Sequence, residues 1–204
     1  MSIFSSSVSV TRYKVDGKLK APILETVANG LKKNGIAEID EDVSEKAVGW
    51  TSFHKPYHPD FYGSSFVYGS HLVFSLRIDK KNISAKVLKK YFMIESSRLL
   101  AKTGREFLSR NEKKVLKNQI IDRLSLRIPA TPNLYDVIWN YEKSMLWFFS
   151  NLKAANEELE TLFRNSFDLA LIRLFPFTTA DLILGLSDSE RDILSNLSPC
   201  AFVA

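Results

Sequence analysis

Apolar and polar side chains alternate from Ser7 to Val15, and a period of two predicts a half-buried strand. From Ala21 to Lys33 the spacing changes. Ile23, Leu24, Val27 and Leu31 recur as on one face of a helix, with Pro22 suited to the first turn and Asn34-Gly35 to the stop. Val48 to Phe53 reads as a short strand. His54 to Ser65, rich in Pro, Tyr and His, reads as a loop, and the later half of Ser65 to Ile78 alternates again as a strand. Two helices are expected next, from about Ser84 to Ala101 and from about Arg105 to Leu126, with Thr103-Gly104 between them. Val87, Leu88, Tyr91, Phe92, Ile94 and Leu99 form the apolar side of the first. Leu108, Val115, Leu116, Ile120 and Leu124 form that of the second, so the two sides suit packing on each other. Pro129 and Pro132 end this excursion. A β-hairpin of Leu134 to Tyr141 and Met145 to Phe149, a helix from Lys153 to Arg164 and a strand from Leu169 to Phe175 complete a ββα-β unit. Pro176 closes it, and short helical turns at Asp181 to Leu186 and Ser189 to Leu197 precede an apolar tail.

Strands and helices are mixed without the regular alternation of a doubly wound parallel sheet, so the expected class is α+β. The expected organisation is an N-terminal α+β part of the body (1–79), an inserted basic helical hairpin (80–128), and a C-terminal ββα-β part of the body with terminal helical turns (129–204).

Composition supports a packed core, with 45% hydrophobic and 25% charged residues. No apolar run approaches the 18 residues of a membrane span, and the first residues lack the basic and apolar regions of a secretory signal. Cys200 is the only cysteine. A disulfide within one chain and a cysteine-based zinc site are therefore excluded, and a reducing cytoplasm is expected. Charge changes the picture more. Lys80 to Arg127 holds fourteen Lys or Arg against four acids, a balance of +10, so the remainder of this +5 chain carries −5. A basic segment on an acidic body points to an anionic partner. Within it, Arg110, Lys113, Lys114 and Lys117 stand at i, i+3, i+4 and i+7, which sets four cations in one ridge along a helix. Lys86, Lys89 and Lys90 make a smaller cluster on the preceding helix. Such a ridge suits the phosphates of nucleic acid, where each contact releases condensed counterions. Solvated helix faces are the plain alternative. A membrane-surface reading is disfavoured, because a hairpin can bury its apolar sides internally.

Catalytic patterns are not found. There is no phosphate-cradling glycine loop, no G-x-S-x-G and no Cys–His pairing. His54 and His58 are four apart and precede Asp60, but Pro56 and Pro59 make a helix untenable there, so surface histidines are expected. His71 at a strand start is read as structural. Asp40-Glu-Asp42 reads as a solvated turn, and Glu157, Glu158 and Glu160 spread around their helix instead of converging on a metal ion. No metal, cofactor or catalytic residue is expected. Trp139, Tyr141, Trp147, Phe148 and Phe149 lie on the hairpin and are expected to be core in preference to base-stacking positions.

In order and chemistry these segments resemble the RdgC family of recombination-associated proteins. The resemblance is carried by Val48-Gly-Trp50 before a Pro-rich loop, by Leu72-Val-Phe-Ser-Leu-Arg77, and by the basic hairpin ending Lys117-Asn-Gln-Ile-Ile-Asp-Arg-Leu124. Tyr135 to Phe149, the helix Ala154 to Arg164 and Leu171-Ile-Arg-Leu-Phe-Pro176 follow in the family's order. It implies a non-enzymatic, largely sequence-independent binder of double-stranded DNA that restrains recombinase-driven strand exchange, acting in the cytoplasm on the nucleoid. It also implies a ring-shaped homodimer with a helical tip domain at about residues 80–128. Two departures are visible. The chain stops shortly after Pro176, where typical members continue, and the family's Pro-Arg-Ala-Phe-like turn is here Arg127-Ile-Pro-Ala130. The rival expectations are a protein-interaction module docking an acidic partner and a recombination-associated nuclease. A homodimer is expected, with the apolar tail Ala201-Phe-Val203 docking on a neighbour or on its own core.

Overall fold

In a computed structural model, residues 3–63 and 65–198 are described; Cys200 and the Ala201-Phe-Val203 tail lie outside them. The chain forms β1 (Thr11–Asp16), α1 (Ile23–Lys33), β2 (Lys46–Thr51), β3 (Val67–Tyr68), β4 (His71–Lys80), α2 (Ala85–Thr103), α3 (Arg110–Ser125), β5 (Thr131–Asn140), β6 (Met145–Phe148), α4 (Lys153–Phe167), β7 (Ala170–Leu174), α5 (Pro176–Ile183) and α6 (Asp188–Ser195). The strands form one sheet in the order β2-β4-β5-β6-β1-β7, with β3 on β4, and every strand pairing is antiparallel. The class is α+β.

Period-two alternation decides which residues enter the core. Leu72, Phe74, Leu76 and Ile78 of β4 and Val137 and Trp139 of β5 face α1 and α4 with Trp50, Tyr13, Leu146 and Phe148. On α4 the buried positions Ala155, Leu159, Phe163 and Phe167 recur every four residues. Phe163 and Phe167 meet the Trp139 ring at 5.0 and 5.3 Å. Gly30 lets α1 cross α4 closely, since a Cβ there would stand 2.7 Å from Phe167 Cε1 and from the Ser166 carbonyl. Each large apolar side chain withdrawn from water contributes roughly 1.5–3 kcal/mol. A polar pin crosses the same layer. The Tyr13 hydroxyl bonds Asn156 Oδ1 at 2.6 Å and Glu160 Oε1 at 2.9 Å, and Arg173 donates to both the hydroxyl and Glu160. Burial first, and then Glu160, raises the Tyr13 pKa well above its ordinary value.

The other face of β4 is also buried but polar, carrying Ser75, Arg77 and Asp79. Arg77 forks onto Asp79 at 2.8 and 2.6 Å and onto Glu38 at 2.8 and 3.1 Å. Burial alone would lower the Arg77 pKa; the two carboxylates outweigh it and hold it above normal. The loop after β2 lies over this arginine, with the Tyr57 ring 5.4 Å from the guanidinium.

Several boundaries differ from expectation for local reasons. Pro132 does not end the excursion; it sits inside β5 opposite Asp79. β6 reaches only as far as Val137, so the strand side that Pro132 leaves without a donor needs none. Pro176 begins α5 as its first residue instead of closing the unit, so the first terminal helix starts five residues before Asp181. β7 pairs with β1, not with β6. Among the hairpin aromatics Trp139, Phe148 and Phe149 are buried, Tyr141 is half-buried, and half-buried Trp147 stacks on His71 at 5.9 Å.

Candidate nucleic-acid interface

The α2–α3 hairpin leaves the body where β4 and β5 end opposite one another, at Lys80 and Thr131. Its root is fastened by Lys81. This buried ammonium donates to the carbonyls of Asp40, Asp42 and Ser125 at 3.1, 2.6 and 2.7 Å, and the Lys81 N–H donates to the Glu45 carbonyl. The Ala130 N–H donates to Asp40 Oδ1 at 2.8 Å. The Asp40–Asp42 turn therefore clamps both ends of the insertion. It is a structural element as well as a solvated one.

α2 ends at Gly104, which takes a left-handed conformation (φ 62°) that glycine adopts without strain. The second helix does not follow at once. Residues 105–109 form an irregular turn, and α3 begins only at Arg110, after a capping box at Ser109. The Ser109 hydroxyl accepts from the Glu112 N–H while Glu112 accepts from the Ser109 N–H at 2.8 Å and from Arg105 at 2.6 Å. The Arg105 hydrogen bond, then those from Ser109, pull the Glu112 pKa down to about 2.

The two helices pack on each other through Ile120 and Leu124 of α3, and through half-buried Leu88, Phe92 and Leu99 of α2. Arg123 donates to Glu95 across the pair at 3.0 Å. The expected mutual burial is only partial. α2 has no buried residue, and Val115, expected in the packing side, is 55% exposed. At i, i+5 from Arg110, Val115 turns toward solvent while Leu116 and Ile120 point at α2.

All seven cations singled out in the sequence (Arg110, Lys113, Lys114, Lys117, Lys86, Lys89 and Lys90) are exposed. Among the described residues none of the seven enters an ion pair, whereas Arg98, Arg105 and Arg123 are each engaged with Glu95 or Glu112. Arg110 and Lys113 occupy the first turn of α3, where the helix dipole disfavours positive charge. Helix stability does not account for cations there. Lys89 of α2 and Lys117 of α3 meet across a shallow groove of about 340 Å³ floored by Ala85, Leu88 and Phe92, which joins the two clusters into one surface. At the outer turn Phe107 is 75% exposed beside Arg105 and Ser109.

Sequence reasoning missed three features here. Lys81 enters the charge balance of Lys80 to Arg127 but is consumed by the root. The groove shared by Lys89 and Lys117 depends on helix crossing, which periodicity does not report. Phe107 falls inside the helix expected from about Arg105, and the Ser109-to-Glu112 capping spacing is the signal that places it outside. Elsewhere, His54 is exposed and bonded to the Tyr68 hydroxyl, and His58 is exposed. Glu157, Glu158 and Glu160 diverge to Lys153, Lys46 and Arg173. Among the described residues no three His, Cys, Asp or Glu are placed to hold a metal ion, and among them no helix is long and apolar enough to cross a membrane. Compared with known proteins, the chain matches no protein-family model and no curated protein.

Proposed function

We propose that the protein is a non-enzymatic, largely sequence-independent binder of double-stranded DNA that modulates homologous recombination on the nucleoid, acting as a homodimer. The observation that carries this reading is the set of seven exposed cations, none of them in an ion pair among the described residues, on one hairpin of a body that is otherwise net negative. Unpaired lysines on a rigid helix face suit phosphate oxygens, and their point charges read no base edges. Along α3 the ridge spans seven residues, or roughly 10 Å at 1.5 Å per residue, which covers several phosphates of one strand. The resemblance to the RdgC family supports the recombination context and the dimer, and a recombinase filament is the partner it suggests.

The test is a fluorescence-anisotropy titration on duplexes of unrelated sequence at several salt concentrations. Neutralising Arg110, Lys113, Lys114 and Lys117 together to Gln should weaken binding equally on every sequence and flatten the salt slope by up to about four units. An unchanged slope and affinity would show the ridge to be merely solvated. The second reading, a module docking an acidic protein, is favoured by the apolar floor between Lys89 and Lys117. It is distinguished by little salt-dependent retention on random DNA.

A further inference from the structure

Two tryptophans share the main core, and only one of them has its polar atom matched. The Trp50 indole N–H donates to Ser166 Oγ at 2.7 Å, whereas that of Trp139, a side chain 1% exposed, meets no acceptor among the described residues. The Phe163 and Phe167 rings packed against it offer only the weak acceptance of a π face. A buried donor without an acceptor weakens a fold, so its presence calls for a reason. Trp139 also lines a pocket of about 270 Å³ where the chain leaves β1. Buried Val15 and Leu169 line it too, half-buried Leu19 and Tyr141 join it to the fringe of the main core cluster, and exposed Lys18 stands at its rim. The pocket lies far from the hairpin root, since Trp139 is eight residues along β5 from Thr131, or roughly 27 Å at about 3.4 Å per residue.

We propose that this pocket binds a compact, neutral carbonyl compound whose oxygen accepts the Trp139 N–H. Volume sets the size, because the pocket falls just below the roughly 300–1,000 Å³ of clefts that take drug-sized ligands. Val15, Leu19 and Leu169 set the body of the ligand, which gains by being apolar. The N–H sets its head group. A single neutral donor satisfies a carbonyl oxygen but does not offset the desolvation of a carboxylate, and Lys18 keeps its charge in water at the rim. None of these residues belongs to α2 or α3, so the inference stands apart from the duplex reading.

The experiment is a titration of the full chain with acetophenone, without DNA, followed by two-dimensional proton–nitrogen NMR. The chain has three tryptophans and therefore three indole N–H peaks, and Trp139→Phe identifies one by its loss. Acetophenone should move the Trp139 peak and the Val15 and Leu19 amide peaks saturably. The peaks of Trp50, held by Ser166, and of Trp147, stacked on His71, should stay in place. Ethylbenzene has the same skeleton without the oxygen and should bind about tenfold more weakly, the factor that one buried hydrogen bond supplies. Trp139→Phe keeps an aromatic ring in the core, and in it the two probes should bind equally, as read from the Val15 and Leu19 amides. Should that variant not fold, the two probes on the wild type decide alone. The proposal is overturned by an absence of saturable shifts, by ethylbenzene binding as tightly as acetophenone to the wild type, or by the folded variant still preferring the ketone. It is equally overturned by a water that shows an NOE to the Trp139 N–H and is not displaced by the ketone, which would make an ordered water the only partner.

Discussion

Lys81 and Lys117 are the same residue type on the same basic segment, and their surroundings give them opposite roles. Lys117 stands in solvent with its charge available, while Lys81 is 7% exposed and donates all three protons to carbonyls. Removing a buried charged donor strands its acceptors, and that costs more than the bond itself returns. Lys81→Met should therefore destabilise the fold by about 2–4 kcal/mol in urea denaturation. The salt slope of DNA binding by the folded variant should stay unchanged, because this cation reaches no phosphate. A loss below about 1 kcal/mol would mean that the root is held by something else. The buried Arg77, matched by Asp79 and Glu38, belongs with Lys81 in this respect. Counting charges along the chain does not separate such residues from the ridge; only their partners do.

The start of α3 shows what an element-scale reading gained and lost. Helical spacing from Arg110 to Lys117 was legible because those four residues lie inside one helix, whatever its start. The start itself is not legible from spacing, because Arg105 to Leu108 are compatible with a helix and only the Ser109–Glu112 cap sets where α3 begins. That cap has a pH signature. Glu112 titrates near 2 in the folded chain against 4.5 for the free side chain. Its contribution is thus fully present above about pH 4.5 and is lost as pH falls through about 2. Carboxyl NMR should place the Glu112 midpoint near 2 and move it upward in Arg105→Ala. A midpoint above 4 in the wild type would remove the Arg105–Glu112 bridge. Strand faces were legible by the same logic, since Leu72 to Ile78 alternate. Two things were not. Periodicity gave no sign that the polar face of β4 would also be buried, because Ser75, Arg77 and Asp79 look like solvent residues until Glu38 and Tyr57 cover them. Nor did it show how far the hairpin would fall short of burying its own apolar sides, since that depends on how the two helices cross.

At the scale of the molecule, the hairpin is an insertion between two strands that already pair along their length. β4 and β5 are in register from His71–Asn140 to Lys80–Thr131, so the sheet needs no residue from α2 or α3 to align it. Neither the main core cluster nor its half-buried fringe includes a residue of the hairpin. Replacing residues 82–129 by a short Asn-Gly-containing turn would join β4 to β5 as an ordinary antiparallel hairpin. It would remove twelve cations and four acids and take the net charge from +5 to −3. Lys81 would keep the Asp40 and Asp42 carbonyls and lose only that of Ser125. The excised protein should retain one cooperative thermal unfolding transition, while its affinity for duplex DNA falls to background at physiological salt. Calorimetry and anisotropy on the same preparation read both outcomes. A chain that no longer folds would show that the hairpin belongs to the body's stability. A folded chain that still binds DNA as tightly as the parent would place the contact surface on the sheet, despite its acidic balance, and would sink the assignment of the interface to α2 and α3.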